Sequence, residues 1–539
     1  MAKPISPLLL TALLVSCTVA KTLTPPTVPT PTAAALHPSG AWWNNAVFYE
    51  IFVRSFYDPD GDGIGDFAGV TAKLDYLSSL GVNAIWLMPI NPSPSYHGYD
   101  ITNYYAVNSQ YGSMDDFKRL LNEAHRRGMH VIIDLVLNHT SSQHPFFVDA
   151  VRGPQSPFYN WYVWSDTNNG QYWHPVQGNP SRYYFGLFCD CMPDLNYRNP
   201  DVTAQMEKVV AFWLRDVGVD GFRMDAINRL IEEGARTADT PATHDWLKGF
   251  YQFYKAQKPD AYAVGEVFGA DASLVKTYEG DQLDQAFNFE LAQDFLGSAN
   301  SGTNTAAESG LIFARQTLPD GDYATFLTNH DQNRVMSVLS GDLHKAKLAA
   351  FLLLTAPGTP FIYYGEEIGM QGMKPDEDIR RPMQWDATPN AGFTSGTPWR
   401  SPAPDFPRVN VAAEATDSAS LLSTYRGLIA LRQAHPALRT GQLSLLNTGN
   451  TAVYAALRWN TAETALVVAN LAGTPVSDYG LTLTTPQSEL RPGALAATGL
   501  YGPGSFAPLR VGPDGVFANY KPLSTIPAYG MYVVQLAGP

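Results

Sequence analysis

The feature that most constrains this chain is a repeating alternation of strand-like and helix-like segments that begins at Val47. Short runs rich in β-branched and aromatic residues, such as AIWLMPI and HVIIDLVLNH, alternate with amphipathic stretches such as VTAKLDYLSSLG and DDFKRLLNEAHRRG. Both of these helical stretches end on glycine, as helices often do. Eight successive strand-then-helix units predict a parallel (β/α)8 TIM barrel, which we place at residues 41–139 and 201–437.

Two segments depart from this rhythm. About sixty residues rich in Trp, Tyr, Pro and Gly separate the third strand from the next helix, and a structureless loop of that length is uncommon. We therefore predict an inserted domain at residues 140–200. After LLSTYRGLIALRQAHPAL the pattern changes to short alternating runs, including AVYAALRW and ALVVANL. These runs predict a C-terminal β-sandwich at residues 438–539.

The first residues, MAKPISPLLLTALLVSC, resemble an export signal. Lys3 precedes an apolar run that is much shorter than the roughly 20 residues needed to span a bilayer. LVSC resembles a bacterial lipobox, which implies a signal segment at residues 1–17 and lipidation of Cys17, whereas cleavage after Ala20 is the alternative. Both readings predict export, to the cell envelope or the medium. The Pro- and Thr-rich residues 18–40 are predicted to form a disordered tether.

Composition restricts the partners of the chain. The net charge of −14 argues against nucleic acids and anionic lipid surfaces, so we expect membrane attachment only through the N-terminal lipid. The chain has 11 Trp and 28 Tyr, whose flat faces suit sugar rings, although aromatic side chains lie more often in protein cores. These features predict a protein, expected to be monomeric, that acts on neutral or cationic ligands.

Two of the three cysteines lie together in the tripeptide CDC, as Cys189 and Cys191. No set of Cys or His residues gives this pair a zinc-like spacing. The sequence leaves a disulfide and two free thiols equally open, and it assigns the pair no chemistry.

Polar residues mark the predicted carboxyl ends of several strands, where barrel proteins carry their functional groups. They are, in chain order, Asp134, Asn138, His139, Arg223, Asp225, Glu266, His330 and Asp331. Strand periodicity places Arg223 and Asp225 on one face, where the guanidinium favours the ionised carboxyl group that a nucleophile needs. Glu266 ends an apolar strand, and burial there would raise its pKa and suit a general acid. A single aspartate at a strand end is usually a helix cap, but several polar strand ends at one barrel mouth indicate a catalytic site.

The same segments carry a specific resemblance. DLVLNH, GFRMDAIN, GEVF and FLTNHD resemble, in order, the four signature regions of the α-amylase family, glycoside hydrolase family 13. GVNAIWLMP, MPDLN and GTPFIYYGEE resemble its three auxiliary regions, so the similarity extends from about Ala41 to the C-terminus. It implies that residues 140–200 correspond to domain B of the family, and residues 438–539 to its domain C.

The resemblance implies a retaining glycosidase that acts by double displacement. Asp225 would be the nucleophile, Glu266 the acid/base, and Asp331 a third carboxylate that holds the hydroxyls of the sugar ring. Tyr99 would stack on the sugar that precedes the scissile bond, and two histidines would donate hydrogen bonds to it. These histidines are His139 and His330. The other predicted substrate-binding residues are Asp100, Arg223 and Arg334.

The cues to specificity point in two directions. DEDIRRPMQWD and NAGFTSGTPW resemble the branch of the family that contains oligo-1,6-glucosidases, α-glucosidases and trehalose synthases. Ala226 follows the predicted nucleophile where α-1,6-specific members usually carry Val, and Tyr96 and His97 stand where exo-acting members usually carry an acidic residue. MPDLN resembles an intermediary group of secreted bacterial α-amylases. We therefore predict an endo-acting α-amylase that cleaves α-1,4 bonds of starch, glycogen and malto-oligosaccharides, with an α-glucosidase, oligo-1,6-glucosidase or trehalose-synthase-like enzyme as the alternative.

A catalytically inactive binding or partner protein is a further alternative. Some barrels that resemble this family have lost catalysis, but they typically lack one or more of the three carboxylates and carry a membrane span. This chain keeps Asp225, Glu266 and Asp331, which favours an enzyme.

The stretch DPDGDGIGD predicts a structural Ca²⁺ site. Asp58, Asp60, Asp62 and Asp66 would bind the ion through their side chains and Ile64 through its carbonyl, since Ca²⁺ prefers several hard oxygen ligands. The loop also resembles a calcium loop of the oligo-1,6-glucosidase-like branch. A solvated acidic turn is the alternative.

A second calcium site is implied by the resemblance alone. The usual site of the family uses Asn138 and Asp194, with a third partner from a Lys-His pair after the nucleophile. This chain has Asn228 and Arg229 at that place, and the arginine would neutralise the site instead of an ion. Occupancy of this second site is therefore left open.

Overall fold

A computed structural model describes residues 40–318, 321–486 and 490–538. The predicted signal segment, Cys17 and the predicted tether up to residue 39 lie outside the described residues. The strands of the first two thirds of the chain are, in order, β1 (Phe48–Ile51), β2 (Ala84–Leu87), β3 (His130–Val136), β4 (Trp164–Ser165), β5 (Trp173–Val176), β6 (Asn179–Phe185), β7 (Gly221–Asp225), β8 (Tyr262–Gly265), β9 (Gln285–Ala286), β10 (Ala324–Thr325) and β11 (Thr359–Tyr363).

Eight of these strands form one parallel sheet, in the order β10-β11-β1-β2-β3-β7-β8-β9. A parallel bridge between Phe287 and Ala324 joins the two edge strands, so the sheet closes into a barrel. Large apolar side chains fill the interior, where the rings of Phe48 and Phe361 stack 4.2 Å apart and Tyr262 packs on Phe48. The predicted (β/α)8 barrel is confirmed.

The α-helices are, in chain order, α1 (Val53–Phe56), α2 (Phe67–Ala72), α3 (Leu74–Leu80), α4 (Met114–Arg126), α5 (Pro145–Ala150), α6 (Pro200–Ala211), α7 (Pro241–Gln257), α8 (Ala272–Tyr278), α9 (Phe289–Ser301), α10 (Thr305–Thr317), α11 (Val335–Val338), α12 (Leu343–Thr355), α13 (Asp376–Ile379), α14 (Val411–Glu414), α15 (Leu421–Ala434) and α16 (Pro436–Thr440). The local sequence explains where several helices begin. Ser113 and Asp116 form a capping box at the start of α4, and Asn199 caps α6 just before Pro200. In the part of the chain that the structure describes, no helix is both long enough and apolar enough to cross a membrane.

One predicted helix is divided. VTAKLDYLSSLG contributes to two helices, α2 and α3, because the backbone leaves the helical conformation at Lys73. The ammonium group of Lys73 lies 4.0 Å from the ring centres of both Tyr57 and Trp385, so this break lets the side chain reach an aromatic site. As predicted from the sequence, α3 ends on Gly81, which has the left-handed conformation that glycine adopts readily.

The segment between β3 and α6 contains its own small sheet. Its three strands are antiparallel and lie in the order β4-β6-β5. An isolated bridge between His139 and Asp194 joins the beginning and the end of this segment at the mouth of the barrel. The inserted residues therefore lie beside the carboxyl ends of the barrel strands.

The strands after the last barrel helices are β12 (Gln442–Leu445), β13 (Val453–Trp459), β14 (Thr464–Asn470), β15 (Leu481–Leu483), β16 (Gly493–Tyr501), β17 (Leu509–Val511), β18 (Phe517–Tyr520) and β19 (Met531–Ala537). Six of them form a sheet in the order β12-β13-β14-β19-β16-β17, and β15 pairs with β18. All these pairs are antiparallel. Side chains from both sheets, including Leu466, Val534 and Leu481, share one apolar core, which confirms the predicted all-β C-terminal part.

A buried arginine secures the connection between the barrel and its last long helix. Arg432 lies in α15, is 1% exposed, and donates hydrogen bonds to three main-chain carbonyls between the last turn of α12 and the start of β11. The three acceptors belong to Leu354, in the last turn of α12, and to Ala356 and Gly358, in the following loop. Carbonyls in the last turn of a helix have no partner within the helix itself.

We expect Arg432→Met to destabilise the protein by about 3 kcal/mol or more, because it leaves several buried carbonyls without donors. The measurement is the midpoint of thermal unfolding followed by circular dichroism. Arg119→Met is the matched control, since the Arg119 side chain on α4 is 62% exposed and its loss should hardly change the midpoint. Equal midpoints for the two variants would show that Arg432 does not hold the barrel together.

Candidate active site

The carboxyl ends of the barrel strands surround a cleft of about 550 Å³. Its wall includes Tyr99, His139, Asp225, Glu266 and Asp331, so the structure brings together the three predicted catalytic carboxyl groups and two predicted substrate-binding residues. The remaining wall residues are His97, Phe188, Met192, Ala226, Asn228, Arg229, Phe268, Lys374, Asp376 and Arg380.

Arg223 connects the acidic groups of the cleft. Its side chain is 1% exposed, and its Nη1 atom lies 2.7 Å from Oδ1 of both Asp134 and Asp225. Its Nη2 atom lies 2.7 Å from Oε2 of Glu266. Because a guanidinium group stays charged even when buried, Arg223 favours negative charge on its partners and fixes their positions.

Asp134 is a functional residue to which the sequence assigns no role. Its Oδ2 atom accepts hydrogen bonds from the indole of Trp86 at 3.2 Å and from the hydroxyl of Tyr99 at 3.3 Å. Burial raises the pKa of Asp134 to about 7, although the charge of Arg223 opposes this effect. Asp134 thus holds both Arg223 and Tyr99 in place, and the available signal was an acidic residue inside the apolar run HVIIDLVLNH.

Glu266 has the properties of a general acid. It directly follows β8 and is 7% exposed. Burial raises the pKa of Glu266 to about 8, Arg223 opposes this effect, and the negative charge of Asp225 adds to it. Glu266 therefore keeps its proton at neutral pH while lying in contact with the same guanidinium as Asp225.

The residue after Asp225 has an unusual backbone conformation. Ala226 lies in the left-handed region, with φ 44° and ψ 39°, which costs a residue with a side chain roughly 1 kcal/mol. At this turn the amide of Ala226 donates a hydrogen bond to Oε2 of Glu266 at 3.1 Å. The turn after Asp225 thus orients the neighbouring carboxyl group.

Asp331 is held by a second arginine that sequence reasoning missed. Nη2 of Arg380 lies 2.7 Å from Oδ1 of Asp331 and 3.1 Å from Oδ2 of Asp376. Burial opposes the ionisation of Asp331, but the neighbouring His330 and Arg380 lower its pKa to about 2. Asp331 is therefore a carboxylate at neutral pH. Arg380 belongs to DEDIRRPMQWD, which the sequence marks as a motif without giving its residues a role.

His330 is fixed from two sides. Its Nδ1 atom lies 2.5 Å from Oε1 of Glu50 in β1, and its Nε2 atom lies 2.6 Å from the hydroxyl of Tyr99. Burial lowers the pKa of His330 well below its usual value and raises that of Glu50, so a neutral Glu50 can donate to Nδ1. Nε2 then carries the proton of the ring. Sequence reasoning missed Glu50 because it lies in a strand of otherwise apolar residues.

His139 is hydrogen-bonded to the main chain of Tyr99. Its Nε2 atom lies 3.2 Å from the carbonyl of Tyr99, and a carbonyl can only accept, so the ring proton is used there. Burial lowers the pKa of His139, which keeps the ring neutral and Nδ1 an acceptor. The Nδ1 atom is buried and has no hydrogen-bond partner among the described residues, so a hydrogen bond from His139 to a sugar stays a prediction.

Four of the six predicted substrate-binding residues do not line the cleft: Arg223 and His330, which lie behind its wall as described above, and Asp100 and Arg334. Asp100 is 4% exposed and accepts hydrogen bonds from the hydroxyls of Ser93 and Ser95. Arg334 is 2% exposed and donates to the carbonyls of Ile379 and Tyr364, at 2.8 and 2.6 Å. Asp100 and Arg334 form hydrogen bonds with neighbouring loops instead, so direct contact with substrate is not supported for either residue.

The predicted calcium loop brings three of its four aspartates together. Asp58, Asp60 and Asp62 each place a carboxylate oxygen within 4.8 Å of the others. Asp66 is not part of this group, because its Oδ1 atom accepts a hydrogen bond from the amide of Gly69 at 2.6 Å and caps α2. Three converging carboxylates in a tight loop fit a hard cation such as Ca²⁺.

The second predicted calcium site contains a buried pair. Nδ2 of Asn138 donates to Oδ2 of Asp194 at 3.0 Å, and Oδ1 of Asn138 has no hydrogen-bond partner among the described residues. Burial raises the pKa of Asp194 well above its usual value, and Glu232 adds to the effect. Arg229, expected to neutralise this site, donates instead to the hydroxyl of Thr237 at 3.2 Å. The buried amide oxygen beside a carboxyl group fits a cation.

Comparison with known proteins adds an independent observation. Residues 50–441 match the family model described as "Alpha amylase, catalytic domain". The chain is 40% identical over 439 residues to a Dictyoglomus thermophilum protein named Alpha-amylase 3, covering 80% of this chain and 85% of that protein. It is 34% identical to an oligo-1,6-glucosidase of Heyndrickxia coagulans, covering 81% and 93% respectively. A solved structure of an alpha-amylase from H. orenii has a TM-score of 0.77 at 38% identity, covering 91% of this chain and 99% of that one.

We expect infrared difference spectra to show a band from the protonated carboxyl group of Glu266. This band should disappear as the pH rises, with a midpoint near pH 8, because burial raises the pKa of this group. The Glu266→Gln variant identifies the band. In Asp225→Asn the midpoint should fall, since a negative charge that favours protonation of Glu266 is removed.

Glu366→Gln is the matched control for this titration. Burial also raises the pKa of Glu366 to about 8, but Glu366 contacts Tyr425 and is not a wall residue of the cleft. The Glu266 band should survive in that variant. A band that Glu266→Gln leaves intact would contradict the assignment of a neutral Glu266.

Proposed function

Because the chain belongs to the α-amylase family and is a glycoside hydrolase, we propose that it is a retaining, endo-acting α-amylase. Its substrates would be the internal α-1,4-glucosidic bonds of starch, glycogen and malto-oligosaccharides. The observation that carries this proposal is the contact of one guanidinium, Arg223, with both Asp225 and Glu266. A nucleophilic carboxylate and a protonated carboxyl group side by side are what retaining glycosidases require.

The geometry supports a double displacement. Asp225 would attack the anomeric carbon while Glu266 gives its proton to the glycosidic oxygen, so the C–O bond breaks as a covalent glycosyl-enzyme forms. Glu266, now a carboxylate, would take a proton from water, whose oxygen attacks the same carbon and releases Asp225. Two inversions retain the configuration of the sugar. Asp331, ionised by its surroundings, would accept hydrogen bonds from the ring hydroxyls as the ring distorts.

Two positions favour cleavage inside a chain over removal of its end. Exo-acting members of the family usually carry an acidic residue where this chain has Tyr96 and His97. Here Tyr96 stacks on Trp399 with ring centres 5.3 Å apart, and His97 forms part of the cleft wall. These side chains offer no carboxylate to bind the hydroxyls of a terminal glucose. The relative named Alpha-amylase 3 supports the same reading.

An α-glucosidase, oligo-1,6-glucosidase or trehalose-synthase-like enzyme is the second candidate. Its support is the DEDIRRPMQWD segment, which contributes Asp376 and Arg380 to the cleft wall. The relative named oligo-1,6-glucosidase favours the same alternative. Arg380 contacts Asp331, the group that would hold the substrate, and Asp376 contacts Arg380, so this segment would border the part of the cleft that a terminal glucose occupies.

We also propose that a structural Ca²⁺ binds the loop after β1. Asp58, Asp60 and Asp62 would hold it with the carbonyl of Ile64, and Asp66 would support the loop through α2. The ion would neutralise three like charges and fix the connection between strand and helix, with no part in bond cleavage. A second ion between Asn138 and Asp194 is proposed on the fit of those two side chains alone.

Export is proposed from the N-terminal sequence. The segment MAKPISPLLLTALLVSC would direct the chain out of the cytoplasm, either released or anchored by a lipid on Cys17. An exported enzyme would reach starch and glycogen, which do not enter cells intact. We propose a monomer whose partners are α-glucans and not nucleic acids, in keeping with the net charge of −14.

We expect soluble starch to lose its iodine colour faster than reducing ends accumulate, because internal cleavage shortens chains before it produces many ends. The measurement is a time course of iodine absorbance, reducing ends and chromatographed products on starch, maltose, isomaltose, pullulan and trehalose. Asp225→Asn is the inactive control. Glucose as the sole early product from starch would favour the exo-acting candidate.

We expect EGTA to lower the melting temperature by several degrees, because the ion binds the folded loop and not the unfolded chain. Asp60→Asn should reduce this shift. Asp245→Asn is the matched control, since it removes one charge from a side chain that is 79% exposed. An unchanged melt in EGTA counts against the site, and a full shift in Asp60→Asn would place the ion elsewhere.

A further inference from the structure

A short disulfide-bridged turn presents a phenylalanine to the cleft. Cys189 and Cys191 are joined by a disulfide, a pairing that the sequence leaves open. Phe188, the residue immediately before the bridge, forms part of the cleft wall, as does Met192 immediately after it. Phe188 is 51% exposed, which is high for a large apolar side chain in a protein of this size. Such a ring is available to a ligand.

The bridged turn is tied to its surroundings on two sides. The amide of Ser142 donates to the carbonyl of Cys191 at 2.8 Å, which connects the turn to the chain just after β3. The hydroxyl of Tyr184 in β6 donates to the carbonyl of Asp190 at 2.6 Å. The turn is therefore held between the barrel mouth and the small inserted sheet.

The ring of Phe188 lies against one of the predicted substrate-binding residues. It meets the ring of His139 edge to face, with ring centres 5.2 Å apart and an angle of 65°. This contact sets the orientation of the phenyl ring beside the residues that surround Asp225 and Glu266. About half of its surface is exposed, and the residue is part of the cleft wall.

The bridge itself contributes little to overall stability. A disulfide stabilises mainly by restricting the unfolded chain, and the effect decreases as the closed loop becomes shorter. Only one residue, Asp190, separates the two cysteines, so the loop is about as short as a disulfide can close. The effect of the bridge is therefore local, and the side chains that it keeps in place are those next to it, foremost Phe188.

We propose that Phe188 contacts the substrate by stacking on a glucosyl unit next to the scissile bond, and that the Cys189–Cys191 bridge is a positioning element that holds it there. The inference rests on the proposed glucan substrate. The apolar face of a glucose ring matches a phenyl ring in size and shape. Because Phe188 touches none of the reacting groups, the contact would be made equally in the ground state and the transition state, and its loss would raise KM with little change in kcat.

The first experiment measures kcat and KM on maltoheptaose. We expect Phe188→Ala to raise KM by about 5-fold or more with kcat within about 2-fold, as loss of roughly 1 kcal/mol of stacking implies. Phe188→Trp, which keeps an aromatic face, should stay near the wild type. Val148→Ala is the matched control, because Val148 is an exposed apolar residue, 47% exposed, in α5 of the same inserted segment.

The second experiment tests the bridge. Dithiothreitol would give the disulfide two electrons and two protons, leaving two thiols and the cyclic disulfide of the reagent. We expect the reduced wild type and Cys189→Ser/Cys191→Ser to show a KM raised by about 3-fold, and dithiothreitol to have no effect on the double variant. In Phe188→Ala, loss of the bridge should add nothing further, because both changes remove the same contact.

These measurements separate the two proposals. A wild type that does not cleave maltoheptaose overturns the α-amylase assignment, and the same series is then run on the α-glucoside that it does cleave. An unchanged KM in Phe188→Ala overturns the role of Phe188. A bridge effect of equal size with and without the Phe188 ring overturns the positioning role. If the serine variant does not fold, dithiothreitol on the wild type and on Phe188→Ala decides the question.

Discussion

The chemistry of the cleft depends on one buried cation. Asp134, Asp225 and Glu266 would repel one another in a dry site, and the charge and several donors of Arg223 hold all three in contact. Arg223 and Asp225 lie on β7, Asp134 on the neighbouring β3 in register with Arg223, and Glu266 just after β8. The cluster therefore forms only when three adjacent strands pair in the correct register, which makes barrel assembly a condition for catalysis.

Two carboxyl groups of the same cleft are tuned in opposite directions by what surrounds them. Burial dominates at Glu266, which keeps its proton at neutral pH. At Asp331 the neighbouring His330, Arg380 and Arg223 together outweigh burial, and the group stays ionised. Two similar side chains thus become an acid, Glu266, and a carboxylate, Asp331, because the balance between burial and neighbouring positive charge differs at the two positions. Arg223 is the arginine in direct contact with Glu266, and Arg380 is the one in direct contact with Asp331.

The sequence was sufficient for the barrel and for most of the polar strand ends. Hydrophobic residues that recur with a period of two predict the strands, and a period of 3.6 predicts the helices. In a parallel barrel the carboxyl ends of all strands lie at one mouth, so Asp225 and Glu266 are predicted to lie there together. Asp134 was among the predicted strand ends but received no role, and Glu50 was missed, because an acidic residue inside an apolar strand has no pattern of its own. Arg380 reaches the cleft through a long loop after β11, and the path of such a loop is set by tertiary contacts that local sequence does not specify.

The left-handed turn at Ala226 connects the residue after Asp225 with the orientation of Glu266. A β-branched side chain tolerates a positive φ less well than alanine does, because its branches crowd the backbone. In this family α-1,6-specific members usually carry valine at the position of Ala226. A valine there would disfavour the left-handed conformation of the turn. The amide of Ala226 donates a hydrogen bond to Glu266, so a changed turn would move this proposed proton donor relative to the glycosidic oxygen. A larger side chain at position 226 would therefore act on Glu266 through the main chain, while every predicted catalytic side chain stays the same.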